Sequence, residues 1–274
     1  MAKRVESPSS INTFKQCRRK YYYQYIEKLP TIFNIHQVRG IIAHATLEHF
    51  FDIDTSKFSE DDYQLRLRET AQKLFLHHWK NHQKELGQLG LHEDQKKFYF
   101  EETMLMIMNW VNYFIDDLKN LQRKKNSSLQ QAFLELTPLR EQEYASSNYS
   151  VRGFIDAIKH LDDEVHIIDY KTNSSFDLKD ENKLQLAIYS LLYLETHGKL
   201  PSKVGIFFLR HKLKLMAVDE QLLELAKKEI MLIHAHTSAT EKREDYPKTV
   251  NNLCKWSTGQ CDFYKTCKPH ETKD

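Results

Sequence analysis

Turn-forming residues are scarce in this chain. Seven glycines and six prolines serve 274 residues, roughly 5% of the chain against an average near 12%. An architecture of many short strands needs such residues at each tight reversal, so the scarcity argues against an all-β sandwich and favours long helices. With 41% hydrophobic and 28% charged residues, the chain can fill a core and is not disordered. No apolar run reaches the length of a membrane span, so no membrane association is expected. Met1 to Ser10 is polar and lacks an apolar h-region. No secretory signal is therefore read, and a cytoplasmic location is expected.

The first half reads as helical. Ser10 is a candidate cap for a helix over residues 10–28, with Phe14, Cys17, Tyr21, Tyr22 and Tyr25 at three- and four-residue spacing. A second helix spans 38–51 and carries His44. Two long amphipathic helices follow at 60–85 and 94–123, separated by Gly87 and Gly90. The pattern then changes. Apolar and charged residues alternate from Phe133 to Glu143. Val151–Leu161 and Val165–Tyr170 read as a hairpin around Asp162-Asp163-Glu164. A helix over 179–197, strands at 203–209 and 212–218, and a helix over 219–236 complete the set. The fold class is mixed α/β, with a large helical insertion before the sheet. The expected organisation is an N-terminal helix (1–30), a helical cap (31–130), a core (131–240) and a cysteine tail (241–274), integrated in one domain.

Two carboxylates stand out on the hairpin. Asp156 follows Gly153 on its first strand, and Asp169 sits near the end of its second, in Ile167-Ile168-Asp169-Tyr170-Lys171. A charge in an apolar strand is costly unless paired or metal-bound. The two-residue period puts Asp169 and Lys171 on one face, and antiparallel pairing can bring Asp156 beside them. Paired carboxylates offer the hard, oxygen-rich site that Mg²⁺ or Mn²⁺ prefers. A lysine alongside can orient a water or offset charge on a phosphoryl group. An ion pair between Asp169 and Lys171 is the purely structural alternative. D-x-K alone is uninformative, because it also starts at Asp94, Asp117 and Asp177. On the following helix, Gln185 and Tyr189 share a face that can look back over the acids.

The four cysteines are Cys17, Cys254, Cys261 and Cys267. Their number matches a tetrahedral metal site or an iron–sulfur cluster, and four unrelated thiols would also fit. No C-x-x-C occurs. One distant and three local ligands would staple the chain ends together, with Trp256, Phe263 and Tyr264 as shielding. Net charge is +2, a balance that neither demands nor forbids nucleic acid. Basic clusters at Arg18-Arg19-Lys20, Arg123-Lys124-Lys125 and Arg210-His211-Lys212 read first as solvated element ends.

Taken in order, these pieces resemble the PD-(D/E)XK nuclease superfamily, in its RecB-like iron–sulfur branch of CRISPR-associated exonucleases and the AddB nuclease domain. The residues that carry the resemblance are Ser10…Phe14…Cys17-Arg18…Tyr21…Tyr25, Gly40…His44…Glu48, Gly153-Phe154-Ile155-Asp156, Ile168-Asp169-Tyr170-Lys171, Gln185…Tyr189 and Cys254…Cys261…Cys267. The resemblance implies a restriction-endonuclease-like core and a metal-dependent deoxyribonuclease, acting as an exonuclease on single strands. It implies that His44, Asp156, Asp169 and the Tyr170 carbonyl are metal ligands. Lys171 is then the catalytic lysine, with Gln185 and Tyr189 in support. Glu143 or Glu141 would be the acid of the preceding strand. The cysteines would hold a [4Fe–4S] cluster, with Zn²⁺ as the alternative. Six residues separate Cys254 from Cys261, where the family usually has two or three. No G-x-x-x-x-G-K-[ST] loop occurs, so the chain is expected to work alone or to serve a helicase or CRISPR-adaptation partner. DNA repair, recombination and spacer acquisition are all compatible. A non-catalytic DNA-binding adaptor and a structure-specific endonuclease are the rival readings.

Overall fold

The computed structural model describes residues 4–256 and 259–270. Residues 1–3, 257–258 and 271–274, which belong to the N-terminal stretch and the cysteine tail, lie outside the described residues. The protein is a mixed α/β fold around a five-stranded sheet in sequential order. The strands are β1 (Leu139–Ser146), β2 (Val151–Leu161), β3 (Glu164–Lys171), β4 (Lys203–Phe208) and β5 (Leu213–Ala217). β1, β2 and β3 pair antiparallel, β3 and β4 pair parallel, and β4 and β5 pair antiparallel. The parallel step is bridged by helix α8 (Asp180–His197), since a parallel connection needs a crossover element. β4 and β5 approach closely at Gly205, where a Cβ would stand 2.2 Å from the Lys214 carbonyl oxygen.

Both faces of the sheet are covered. Val165, Ile167, Val204, Ile206 and Phe208 pack with α8 and with α9 (Glu220–Ala239) and α1 (Pro8–Gln16). Ile168, Tyr170, Phe207 and Leu209 face the other way. There they meet α3 (Ile35–Phe50), α4 (Tyr63–Asn81), α6 (Glu93–Lys125) and α7 (Leu129–Leu136). β3 therefore alternates between two apolar layers, which explains its unbroken run of buried residues from Val165 to Tyr170. Short α5 (Gln83–Gln88) connects α4 to α6. No helix among the described residues is long and apolar enough to cross a membrane.

Three boundaries differ from the sequence expectation. Ser7, rather than Ser10, caps α1; Pro8 takes the first helical position and Ser10 closes a capping box. The expected helix over 10–28 is broken at Cys17, which leaves helical geometry with φ −162 and ψ 111. It resumes as α2 (Arg18–Tyr21) and a π-helical turn, Tyr22–Ile26. Residues 133–136 belong to α7 rather than to a strand. Ser128 and Gln131 form its capping box, and Leu129, Ala132, Phe133 and Leu136 recur at helical spacing on its buried face.

Candidate active site and metal centre

The site lies where the regular alternation of β1 and β2 is interrupted. Ile155 and Ile158 are three residues apart, yet both enter the α8 layer. Arg140 reaches the Glu48 carbonyl and Asp52 on the α3 side, whereas Tyr144 packs into the opposite layer. Residues four apart on an even strand would share a face. Glu141 adopts φ 47, the left-handed region. Such an irregularity re-aims side chains as a bulge does, and here it lies opposite Asp156. Pairing of β2 with β3 ends at Ala157 and Ile168. The next step would set Asp156 across from Asp169.

Two linked hydrogen-bond groups fill this opening. Asp156 Oδ2 accepts the Tyr170 N–H at 2.7 Å and lies 3.4 Å from Nδ1 of His44. Nε2 of His44 donates to the Tyr170 carbonyl at 2.9 Å. Lys171 Nζ meets Asp169 Oδ2 at 2.7 Å and donates to Gln185 Oε1 at 2.9 Å. Gln185 Nε2 donates to Asp169 Oδ1 at 2.8 Å and to the Tyr189 hydroxyl at 2.9 Å. One amide thus fixes both acid and lysine, and Tyr189 fixes the amide. Gly153 makes room for this arrangement, because a Cβ there would stand 3.0 Å from Cε1 of Tyr189. The segment after Lys171 is held as well. Arg39 and Arg210 both donate to the Thr172 carbonyl, and Glu102 on α6 pairs with both guanidinium groups.

Burial and charge compete at each group. Burial disfavours the His44 cation, but the Asp156 carboxylate, through its charge and hydrogen bond, raises the imidazole to about 9. Burial likewise opposes ionisation of Asp156, yet His44 and the Tyr170 N–H hold it below the ordinary carboxylate value. Asp169 is 2% exposed. Burial pushes its carboxyl upward against the pull of Lys171, and the charge of Asp156 adds to the rise. Burial works against the Lys171 ammonium, but Asp169 more than compensates and keeps it protonated. Glu141 is raised by burial and then by Asp156.

The donor set suits a hard divalent cation. His44, Glu141 and Asp156 offer ligand atoms within 4.8 Å of one another. Asp169 Oδ2 is buried and, beyond its ion pair with Lys171, accepts no hydrogen bond. Imidazole, carboxylates and a carbonyl at one opening match Mg²⁺ or Mn²⁺ chemistry. The structure thus brings together His44, Asp156, Asp169, Tyr170, Lys171, Gln185 and Tyr189. Of the two acids on β1, Glu141 faces this opening. Glu143 instead lies on the exposed face, 3.3 Å from Arg152. Sequence alternation could not separate them, because the positive φ at Glu141 leaves no signature in residue type. Glu48, one helical turn beyond His44, lines the same cleft.

The four cysteines line one small cavity of about 30 Å³, together with Lys20, Phe263 and Tyr264. Trp256 is not part of that lining. The Thr249 N–H points to the Cys17 sulfur at 3.5 Å. Among the described residues, however, no three of these thiols lie within 4.8 Å of one another.

The sequence profile of the PD-(D/E)XK nuclease superfamily matches residues 6–268. This chain belongs to that superfamily, and its core is the restriction-endonuclease-like fold of a hydrolytic nuclease. Among solved structures it is similar to a protein from Eubacterium rectale described as a "Putative exonuclease". The TM-score is 0.50 at 10% identity, over 99% of this chain and 90% of the other; at that identity the likeness shows the fold. No curated protein matches the sequence.

Proposed function

We propose that the protein is a Mg²⁺- or Mn²⁺-dependent deoxyribonuclease, acting as an exonuclease on single-stranded DNA. The observation that carries the proposal is the convergence of His44, Glu141 and Asp156 beside an Asp169–Lys171 pair. His44, Asp156, Asp169 and the Tyr170 carbonyl would hold the cation, with Glu141 beside them. The cation supplies Lewis acidity and an activated water at neutral pH.

The chain's own residues do the rest. Lys171 remains protonated in its pairing with Asp169. It acts as a fixed positive charge that offsets the charge growing on the scissile phosphate. Gln185 sets the height of Lys171 against Asp169, and Tyr189 keeps the amide from rotating. His44 must give up a proton to become a ligand, so proton and cation compete for it.

The cysteines are read as the ligands of a structural [4Fe–4S] cluster. Their shared cavity supports this reading. A single zinc ion, at about 2.3 Å from each sulfur, would need the sulfurs about 4 Å apart, whereas no three of them lie within 4.8 Å of one another among the described residues. Service to a helicase or to CRISPR adaptation, and a role in repair, are compatible extensions.

End-labelled linear and circular single strands test the assignment with Mg²⁺ and with Mn²⁺. Stepwise shortening of the linear strand with the circle intact is expected. Cutting of the circle would make the protein an endonuclease. Binding without cleavage of either would make it an adaptor.

A further inference from the structure

The cleft that contains His44 and Glu141 runs on along α3 to its N-terminal end. It measures about 570 Å³ and is bounded at that end by Phe33, His36, Gln37 and Ile41. Phe33 directly precedes the Asn34 cap and is 54% exposed. Ile32 beside it is 72% exposed, and Ile41 is 46% exposed. Scattered apolar side chains on a surface are ordinary, but a patch at the mouth of a reactive cleft marks a binding surface.

The spacing gives the patch a direction. Phe33, Gln37, Ile41, His44 and Glu48 follow at three- and four-residue steps, hence along one stripe of α3. From Phe33 to His44 is about 16 Å at 1.5 Å per residue. That is roughly the length of five stacked nucleotides at 3.4 Å each. Charge is graded along the same line. At the His44 end stand the acids Glu48 and Glu141. At the Phe33 end the cleft is lined by Phe33, His36, Gln37 and Ile41, with no carboxylate among them. Burial, with the Arg39 and Arg210 guanidinium groups behind it, holds the His36 imidazole below its ordinary value, so this end carries no cation either. The end where the apolar patch lies is thus free of the lining acids that would repel a phosphate backbone.

We propose that Phe33 and Ile41 form a stacking rail for the bases of a single strand whose scissile phosphate lies at His44, and that this rail sets the preference for unpaired DNA. The proposal rests on the nuclease reading above. Every base has a π-face, and stacking on it is tolerant of sequence. A duplex keeps those faces inside its own stack, so only an unpaired strand can present them to Phe33. The rail discriminates by strand state, not by base.

The test compares the full chain with Phe33→Ala and Phe33→Trp in Mn²⁺. The substrates are a long single-stranded oligonucleotide, a dinucleotide and bis(p-nitrophenyl) phosphate, a diester without a base. In Phe33→Ala, kcat/KM for the oligonucleotide, taken relative to the small diester, falls roughly tenfold, mostly through KM. The dinucleotide, too short to reach the rail, shows no such relative loss. Phe33→Trp restores the oligonucleotide, and its added fluorescence is quenched by the strand in Ca²⁺. An unchanged ratio in Phe33→Ala, with no quenching in Phe33→Trp, overturns the rail. So does a change of oligomeric state in Phe33→Ala without a change in that ratio, which would assign the patch to a second copy of the chain. If the unaltered protein hydrolysed none of the three substrates, the nuclease reading would fail, while quenching in Phe33→Trp would still decide whether bases stack there.

Discussion

Candidate metal ligands lie at two places in this molecule, brought there by opposite means. At the sheet opening they come from neighbouring strands and adjoining helices, and the polar groups satisfy one another. Lys171 neutralises Asp169, and His44 neutralises Asp156. At the cysteine end they come from residues 17 and 254–267, carried by a break in a helix, the two-residue strands β6 (Lys255–Trp256) and β7 (Gly259–Gln260), and the four-residue helix α10 (Tyr264–Cys267). So few and such short elements bury little apolar surface, so the proposed cluster would carry much of the order there. The groups at the sheet opening are already ordered by one another; the cysteine end would be completed by the proposed cluster.

Four predictions press on that contrast, in decreasing order of effect. Asp169→Ala and Lys171→Ala each reduce cleavage by roughly a thousandfold or more, with the circular dichroism of a folded protein. Metal-dependent cleavage at the normal rate by either variant would remove these residues from the mechanism. Cys17→Ser loses bound iron and the visible absorbance of a thiolate-ligated cluster. It also lowers the melting temperature by several degrees, on the order of 1–2 kcal/mol in a chain of this size. Asp156→Asn, by contrast, weakens Mn²⁺ binding far more than it lowers the melting temperature. Colourless wild-type protein with stoichiometric zinc, purified without oxygen, would contradict the cluster.

The third concerns pH. His44 ordinarily titrates near 6.5 and is raised to about 9 in the folded, metal-free protein. A raised folded value gives stability that is complete below the unfolded value and is lost as pH climbs through the folded one. The metal-free protein should therefore lose thermal stability between about pH 6.5 and pH 9, and His44→Asn should flatten that slope. Mn²⁺ affinity should rise over the same interval, because the cation displaces a proton. A melting temperature that climbed across this window would show that His44 does not carry the charge. The smallest effect is at Gly153→Ala. Its new methyl presses on the Tyr189 ring, and kcat should fall by about tenfold at most while stability drops by about 1–3 kcal/mol. Unchanged kcat would mean that Tyr189 does not position Gln185.

What could be read from the sequence follows the same division. The two-residue period of β3 put Asp169 and Lys171 on one face, and the four-residue step of α8 joined Gln185 to Tyr189; both are local rules. The mixed fold class followed from the scarcity of turn formers and the switch from helical to alternating patterns. The choice between Glu141 and Glu143 was hidden, because it depends on one left-handed backbone angle. The break at Cys17 was hidden too, since the apolar spacing runs on through it and only tertiary packing interrupts the helix. Ser128 and Gln131 did announce the start of α7, but the alternation beginning at Phe133 masked them.

The central claim is that one divalent cation is held between residues contributed by α3, β2 and β3. Anomalous diffraction from crystals grown with Mn²⁺ tests it directly. The account predicts a peak within about 2.2 Å of His44, Asp156 and Asp169 ligand atoms. A peak elsewhere, or none while the same crystals in solution cleave DNA with Mn²⁺, would contradict it.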